Sequence, residues 1–227
     1  MRRLSLAGHP GGWPDAFLLE FDLPEGGVED FARHGIACPP SVERSVAKRR
    51  AEYLAGRRVA VAALREAGAD VHDVAIGVNR APSWPSGFTG SITHASGMAA
   101  AVAMPDRGVR GVGIDIENVA SESALTAIVQ SVVDEDEHRV LDDLARRIGG
   151  PMALTVAFSA KESFYKATAA TVGRIFEFTA LKIVGGDEDR LYARVAEPLA
   201  SSLPTGMEVA MGYAALNEAT VVTSFRW

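Results

Sequence analysis

The sequence predicts an α/β protein built from two similar halves. Three observations lead to this class: short apolar or alternating runs typical of strands, long segments with helical spacing of apolar residues, and the same order of strand, helix and strands in both halves. The halves meet near residues 105–112, so we expect domains at 1–108 and 109–227. No internal sequence repeat is visible, and the two halves are therefore alike in pattern only.

The first half begins with an apolar run at 16–23, which predicts a strand closed by a turn at Pro24 and Gly26. After Pro39-Pro40, Ser41 is the expected N-cap of one long helix that continues to Gly68. Its apolar positions at near-helical spacing are Val42, Val46, Tyr53, Val61 and Leu64. Prolines and turn formers around Trp84 then predict an ordered loop at 76–90.

Two strands are expected where the halves meet. Gly97–Met104 is a run of small apolar residues, and Val109–Glu117 follows it after the turn Pro105-Asp-Arg-Gly108. The short connection predicts that the two strands form a hairpin.

The second half contains two further helices. The acids Asp134–Glu137 suit the positive end of a helix dipole and predict the start of the first one. Met152–Thr171 is the second. Four later runs are predicted strands: Phe176–Val184, Leu191–Val195, Glu208–Leu216 and Thr220–Phe225.

Composition narrows the class of protein without naming a function. The 227 residues are 48% hydrophobic and 23% charged, which excludes disorder and coiled coil. A single cysteine, Cys38, suits a reducing cytoplasm, and Gly8–Gly12 interrupts any secretion signal. No apolar run approaches the roughly 20 residues that span a bilayer, and a net charge of −6 argues against broad nucleic-acid binding. We expect a protein of the cytoplasm that acts on neither membranes nor nucleic acids.

The strand Gly111-Val-Gly-Ile-Asp115-Ile-Glu117 carries the most informative motif. Asp115 and Glu117 stand two residues apart, so an extended strand points both carboxylates to one face. Two adjacent carboxylates repel, and Mg²⁺, which prefers oxygen ligands, would relieve the repulsion. The alternative is a strand end with two solvated acids. The motif therefore indicates metal-assisted phosphate chemistry or an ordinary strand end.

A second motif is Phe158-Ser-Ala-Lys161-Glu162-Ser-Phe-Tyr165-Lys166-Ala on the long second-half helix. Glu162 and Lys166 share one helical face, and Lys161 is next to it. A surface ion pair is the simplest interpretation. The aromatic residues around these charges are unusual for a fully wet surface and favour a site.

Cations form the remaining signals. His94, in Gly90-Ser-Ile-Thr93-His94, could donate to a phosphate or hydrogen-bond a loop carbonyl. Arg49 and Arg57 lie about two turns apart on the first-half helix and could grip a phosphate, or belong to a solvated face.

In this order along the chain, the motifs resemble the Sfp-type 4′-phosphopantetheinyl transferases, in particular their enterobactin-synthase-like bacterial branch. The resemblance spans residues 49–167. It rests on Arg49 with Glu52-Tyr-Leu-Ala-Gly-Arg57, Arg80 to Trp84-Pro85, Gly90-Ser-Ile-Thr-His94, Gly113-Ile-Asp115-Ile-Glu117 and Phe158-Ser-Ala-Lys161-Glu162 through Lys166-Ala.

The resemblance implies transfer of the 4′-phosphopantetheine arm of coenzyme A to a serine of an acyl or peptidyl carrier protein, with release of adenosine 3′,5′-bisphosphate. The carriers would belong to polyketide, fatty-acid, nonribosomal peptide or siderophore synthases. The implied fold has two α/β halves around a pseudo-twofold axis, with coenzyme A in the cleft between them. A cleft within one chain needs no second copy, so a monomer is expected.

The resemblance also implies residue roles. Mg²⁺ would be bound by Asp115, Glu117, Glu162 and the backbone of Ile116. Glu162, or a water on the metal, would take the serine proton, and Lys166 would neutralise the leaving group, with Asp115 as the third catalytic residue. The implied contacts to coenzyme A are Arg49, Arg57, Arg80, Thr93, His94, Asp115, Lys161 and Lys166.

Two other functions use the same residues. Another divalent-metal phosphotransferase or diphosphate hydrolase would need the acids but no protein acceptor. A non-catalytic module that binds coenzyme A or a carrier protein would tolerate loss of Glu162 or Lys166.

Overall fold

A computed structural model describes residues 1–6, 13–22, 27–95 and 97–227, with the exception of the side chain of Asn79. The predicted interruption at Gly8–Gly12 and the turn residues Pro24 and Gly26 lie outside these ranges. Contacts divide the chain into two compact units. Unit 1 comprises the described residues of Met1–Ser5 and Pro14–Val109, and unit 2 those of Leu6–Trp13 and Arg110–Trp227. The division into domains at 1–108 and 109–227 stays a prediction.

Unit 1 is a four-stranded antiparallel sheet covered by a long helix. The sheet order is β1-β2-β6-β5, and α3 packs against β6, β5 and β2. The middle of β6 consists of fully buried small residues, which let α3 approach closely. The elements of unit 1 are β1 (Arg2–Leu4), β2 (Ala16–Glu20), α1 (Val28–His34), α2 (Pro40–Glu43), α3 (Ala47–Glu66), β3 (Ala75–Ile76), β4 (Pro82–Ser83), β5 (Phe88–Ala95) and β6 (Met98–Pro105).

The predicted single helix from Ser41 to Gly68 is two helices, so that prediction was wrong. The N-cap of α2 is Pro39, and the chain becomes extended at Val46 before α3 begins. The Ser45 hydroxyl donates to the Ser41 carbonyl and closes the short helix, which illustrates how serine competes for backbone groups. Val46, expected in the core, is 72% exposed.

Unit 2 is a five-stranded antiparallel sheet with three helices. Its order is β7-β11-β10-β9-β8, with α6 packed on β7 and β11 and α5 packed on α6 and β8. The elements of unit 2 are β7 (Val112–Asn118), α4 (Glu122–Ser131), α5 (Glu135–Ile148), α6 (Gly150–Val172), β8 (Leu181–Gly186), β9 (Arg190–Val195), β10 (Glu208–Asn217) and β11 (Thr220–Arg226). The sequence did not predict α4.

The predicted hairpin between the strands at 97–104 and 109–117 is wrong. β6 pairs with β2 and β5, whereas β7 pairs with β11 in the other sheet. The backbone amides of Arg110 and Gly111 both donate to the carbonyl of Trp227. These bonds attach the start of β7 to the end of β11, because sheet partners are chosen by tertiary packing and not by turn length alone.

The acids at the start of α5 form the predicted cap. Asp134 accepts from the amides of Asp136 and Glu137, and the Glu137 carboxylate accepts from the amide of Asp134. This reciprocal arrangement satisfies amides that have no partner within the helix.

The α/β class predicted from the sequence is confirmed, and the three sheets of the described residues, including the two-stranded sheet of β3 and β4, are all antiparallel. None of the helices that the structure describes is long and apolar enough to cross a membrane.

Candidate active site

Glycines in β7 allow a very close contact with α6. A Cβ atom added to Gly113 would lie 1.8 Å from the Ser163 carbonyl oxygen, and one added to Gly111 would lie 1.9 Å from that of Ala167. Any side chain at these positions would therefore force the helix away from the strand. Asp115, the next residue on the same face of β7, is brought directly against α6.

Asp115 is 4% exposed and is held by two residues of α6. The Ser159 hydroxyl donates to its Oδ2 at 2.8 Å, and the Lys166 ammonium donates to its Oδ1 at 2.6 Å. Lys166 also donates to the Ile114 carbonyl at 3.2 Å. Lys166 thus forms an ion pair with Asp115, so the expected surface pair with Glu162 does not by itself describe this helix face.

Glu117 and Glu162 are partly buried and belong to the same electrostatic group. Burial, followed by repulsion from Asp115, raises the pKa of Glu117 to about 7, and Glu162 adds to the increase while Lys166 opposes it. Burial also raises the pKa of Glu162, with Lys166 lowering it and Asp115 raising it. Three carboxyl groups therefore share one nearby ammonium group, and repulsion from Asp115 adds to the raised pKa of both Glu117 and Glu162.

The chemistry of this donor set fits a hard divalent cation. Carboxylate oxygens are the ligands of Mg²⁺, and a cation would offset the repulsion that raises the pKa of Glu117. In their present positions, however, no three His, Cys, Asp or Glu side chains of residues 1–6, 13–22, 27–95 and 97–227 form a group that could hold a metal ion. Ile116 is fully buried opposite Val222, and its backbone role stays a prediction.

Lys161 lies in the interior of unit 2, and only 1% of its side chain is exposed. Its predicted contact with coenzyme A stays a prediction. Its ammonium forms an ion pair with Glu137 at 2.6 Å and donates to the carbonyls of Val132 and Phe178. Burial lowers the pKa of Lys161, while Glu137 opposes that change. A charge buried with a matched partner is costly to remove, so Lys161 serves the packing of α6 in unit 2.

Unit 1 contains a cavity of about 330 Å³ between α2, α3 and β5. Four residues predicted to contact the nucleotide line it: Arg49, Arg57, Arg80 and His94. Arg49 Nη1 lies 3.1 Å from His94 Nε2, and the Glu52 carboxylate lies 3.9 Å from both side chains. The structure thus brings together four side chains that are scattered along the sequence.

Arg57 is the buried cation of this cavity. Its side chain is 6% exposed, and its guanidinium lies 4.4 Å from the centre of the Tyr53 ring. The buried Nε atom has no hydrogen-bond partner. An unsatisfied buried donor costs roughly 1–3 kcal/mol.

Of two further residues that were predicted to contact coenzyme A, one lines the cavity and the other does not. Arg80 lines the cavity with φ of 62°, a left-handed conformation that a residue with a side chain adopts only under constraint. Thr93 is 3% exposed and does not line the cavity, and its predicted contact with the nucleotide stays a prediction. Successive residues of a strand face opposite sides, and His94 faces the cavity.

Sequence reasoning missed several residues of both sites. Ser159, Ser163 and Thr223 form hydrogen bonds behind Asp115. The spacing of the two serines by four residues was a usable signal for a shared helix face, whereas Thr223 is remote in the chain. Glu52 and Tyr53 line the unit 1 cavity and belong to a quoted motif, but no role was assigned to them.

An acidic site with a lysine in one unit and a cationic cavity in the other define an α/β protein suited to phosphorylated ligands. Comparison with known proteins agrees. The model of the 4′-phosphopantetheinyl transferase N-terminal domain matches residues 39–104, and that of the 4′-phosphopantetheinyl transferase superfamily matches residues 111–214. The chain belongs to the 4′-phosphopantetheinyl transferase superfamily.

Curated relatives support this placement. Enterobactin synthase component D of Salmonella typhi is 40% identical over 167 residues, which are 72% of this chain and 64% of the relative. The 4′-phosphopantetheinyl transferase Npt of Nocardia iowensis is 32% identical over 182 residues, 79% of this chain and 76% of the relative. The 4′-phosphopantetheinyl transferase PptT of Mycobacterium tuberculosis is 37% identical over 133 residues, 56% of this chain and 55% of the relative. The chain thus matches a little under two thirds of the length of the Salmonella relative.

Proposed function

We propose that this protein transfers the 4′-phosphopantetheine arm of coenzyme A to a serine of an acyl or peptidyl carrier protein in a Mg²⁺-dependent reaction. Adenosine 3′,5′-bisphosphate would be the second product. The proposal rests on the group of Asp115, Glu117 and Glu162 beside Lys166. The chain also belongs to the superfamily that is named for this activity. Carriers of polyketide, fatty-acid, nonribosomal peptide or siderophore synthases are the proposed partners.

The unit 1 cavity would hold the phosphates of the nucleotide portion. Arginine presents a planar fork that matches phosphate oxygens, and Arg57 has a buried donor without a partner. Arg49 and Arg80 would add positive charge from the same cavity wall, and His94 lines it as well. A phosphorylated nucleotide therefore suits this cavity better than a neutral ligand.

Asp115, Glu117 and Glu162 would hold Mg²⁺, with the Ile116 backbone as a further proposed ligand. When bound, the ion would supply positive charge to a diphosphate as its bridging bond breaks. Lys166 already donates to Asp115 at 2.6 Å, so its ammonium is close enough to this group to neutralise part of a departing phosphate.

The transfer step itself exchanges one phosphorus–oxygen bond for another. The serine hydroxyl oxygen would bond to the phosphorus that carries the pantetheine arm, while the anhydride bond breaks and its electron pair leaves on the nucleotide phosphate. The serine proton would pass to Glu162.

Mass spectrometry of a purified apo carrier protein tests the function. With the protein, coenzyme A and Mg²⁺, we expect the carrier to gain one phosphopantetheine group, and no gain in EDTA. Release of nucleotide without carrier modification would instead indicate a hydrolase. Binding of coenzyme A with neither product would indicate a non-catalytic module.

Variants connect this activity to the acids. Asp115→Ala and Glu162→Gln should each lower the transfer rate by more than the roughly 10- to 100-fold typical of residues that only support a metal ligand. Glu188→Gln, at an exposed position of unit 2, is the matched control and should keep the wild-type rate. Near-native transfer by Asp115→Ala or Glu162→Gln would refute the assignment of these acids.

A further inference from the structure

Three hydroxyl groups form a buried chain that ends at Asp115. Ser163 Oγ lies 2.7 Å from Thr223 Oγ1, which lies 2.9 Å from Ser159 Oγ. Ser159 Oγ lies 2.8 Å from Asp115 Oδ2. Ser159, Ser163 and Thr223 are each 0% exposed, so water does not compete for these bonds.

The direction of the chain follows from counting protons. Each hydroxyl group has one proton to donate. Ser159 uses its proton on the Asp115 carboxylate, so it must accept from Thr223. Thr223 has then used its own proton and must accept from Ser163. All three hydroxyl dipoles therefore point the same way, toward Asp115, and hydrogen bonds aligned in this manner strengthen one another.

The chain also joins three elements of unit 2. Ser159 and Ser163 lie one turn apart on α6, Thr223 lies on β11, and Asp115 lies directly opposite Thr223 on β7. The missing side chain of Gly113 lets α6 come close enough for these bonds. Oδ2 of Asp115 is thereby fixed toward the interior, and Oδ1 is the oxygen that meets the cation Lys166.

We propose that Ser159, Thr223 and Ser163 are positioning residues that orient the Asp115 carboxylate for cation binding through Oδ1. The inference rests on the proposed function, because it takes Asp115 to be a ligand of Mg²⁺. Partners of this kind fix the orientation of a metal ligand, and their loss typically lowers metal affinity by roughly 10- to 100-fold. The chain of hydroxyls would thus serve the site as well as the core.

Metal binding to the protein tests the inference, because this measurement does not require the phosphopantetheine transfer reaction. The probe is Mn²⁺, titrated in the presence of coenzyme A and followed by the paramagnetic resonance signal of the free ion. Ser159→Ala and Thr223→Val should weaken Mn²⁺ binding about 10-fold or more. Thr223→Ser keeps the hydroxyl, and its Mn²⁺ affinity should stay within about 3-fold of the wild-type affinity.

Thr168→Val is the matched control. Thr168 is also fully buried on α6, but its hydroxyl donates to the Phe164 carbonyl of the same helix. Loss of the Thr168 hydroxyl should destabilise the fold without changing the Mn²⁺ affinity. The control therefore separates a loss of stability from the predicted loss of Mn²⁺ affinity. Unchanged Mn²⁺ affinity in folded Ser159→Ala and Thr223→Val would overturn the inference, and so would absence of Mn²⁺ binding by the wild type.

The carrier assay separates this inference from the proposed function. If the wild type binds Mn²⁺ and the variants bind it weakly while no carrier is modified, the function fails and the positioning role stands. If carriers are modified and the variants need no more metal than the wild type for half-maximal rate, the function stands and the positioning role fails.

Discussion

At the scale of single residues, the carboxyl of Glu117 responds most strongly to its surroundings. Burial and the neighbouring Asp115 raise its pKa to about 7, from 4.5 in an exposed group. Glu162 is shifted in the same direction by burial. Carboxyl groups with raised pKa values are typical of functional sites, although structural networks produce such shifts as well.

The raised pKa of Glu117 predicts a pH dependence of stability in the metal-free protein. Between pH 4.5 and about 7 the folded state binds the proton more tightly than the unfolded state, so the contribution of Glu117 to stability falls as pH rises. Above about pH 7 both states are ionised and the decrease ends. Urea unfolding in EDTA at several pH values should show this decrease in the wild type and a smaller one in Glu117→Gln. Identical pH profiles for the two proteins would contradict the prediction.

A second prediction concerns Arg49 in the unit 1 cavity. Because its guanidinium is assigned to the nucleotide phosphates, Arg49→Ala should weaken binding of coenzyme A by about 10-fold, a loss of about 1.4 kcal/mol. Binding of 4′-phosphopantetheine, which lacks the nucleotide, should change much less. Calorimetric titration with both ligands measures the difference, and Arg33→Ala, an exposed arginine on α1, is the control. Equal losses for the two ligands would refute the role of Arg49.

At the scale of elements, α6 is the centre of unit 2. Its buried lysine, Lys161, is paired with Glu137 of α5, and the same carboxylate accepts from the amides of Asp134 and Ile183. One glutamate thus links the start of α5 to α6 and β8. On its other side α6 meets the glycines of β7. α6 is thus held by α5 and β8 on one side and by β7 on the other. These contacts fix the positions of Glu162 and Lys166 along β7.

The tight contact of α6 with β7 predicts that Gly113→Ala is severely destabilising. The new methyl group would lie 1.8 Å from a backbone oxygen, and a backbone cannot rotate away as a side chain can. We expect a loss of about 3 kcal/mol or more, which corresponds to a fall in Tm of roughly 6–12 °C for a chain of this size. Thermal unfolding followed by circular dichroism measures it.

Gly150→Ala is the control for that substitution. Gly150 is the first residue of α6, and a Cβ atom there would meet nothing within 4 Å. Its Tm should remain within a few degrees of wild type or rise, since alanine favours helix. A small effect of Gly113→Ala would mean that α6 and β7 are less tightly packed than described.

At the scale of the whole molecule, each unit has its own hydrophobic core. The proposed function assigns roles to residues of each unit: arginines and a histidine of unit 1, acids and a lysine of unit 2. Ligand binding should therefore depend on substitutions in either unit, even though each unit folds around separate apolar residues.

This dependence predicts the effect of substrate on thermal stability. Coenzyme A with Mg²⁺ at about 100 times the Kd should stabilise the wild type by about 2.7 kcal/mol. Arg49→Ala in unit 1 and Asp115→Ala in unit 2 should each reduce the ligand-induced rise in Tm, and Glu188→Gln should leave it unchanged. If Asp115→Ala kept the full increase with Mg²⁺, the acids would have no part in binding.

Much of the element order could be predicted from the sequence. The helix expected at Met152–Thr171 is α6, Gly150–Val172, and the acids at Asp134–Glu137 cap α5 as expected. These features depend on local spacing and on side chains that bond to nearby backbone groups, so they are visible without a fold. The break before α3 was missed, because α2 ends at Glu43 and the chain reaches the N-cap Val46 without a proline or glycine to mark the break.

The sequence by itself determined the α/β class, the family resemblance and the carboxylates of the candidate site, because periodicity and motif spacing are local properties. Only the tertiary structure decided which residues meet. It placed β7 beside β11, joined Lys161 to Glu137 in the interior, and set the hydroxyl of Thr223 behind Asp115. These contacts join residues far apart in the chain, and their energies depend on burial and close packing that no local pattern records.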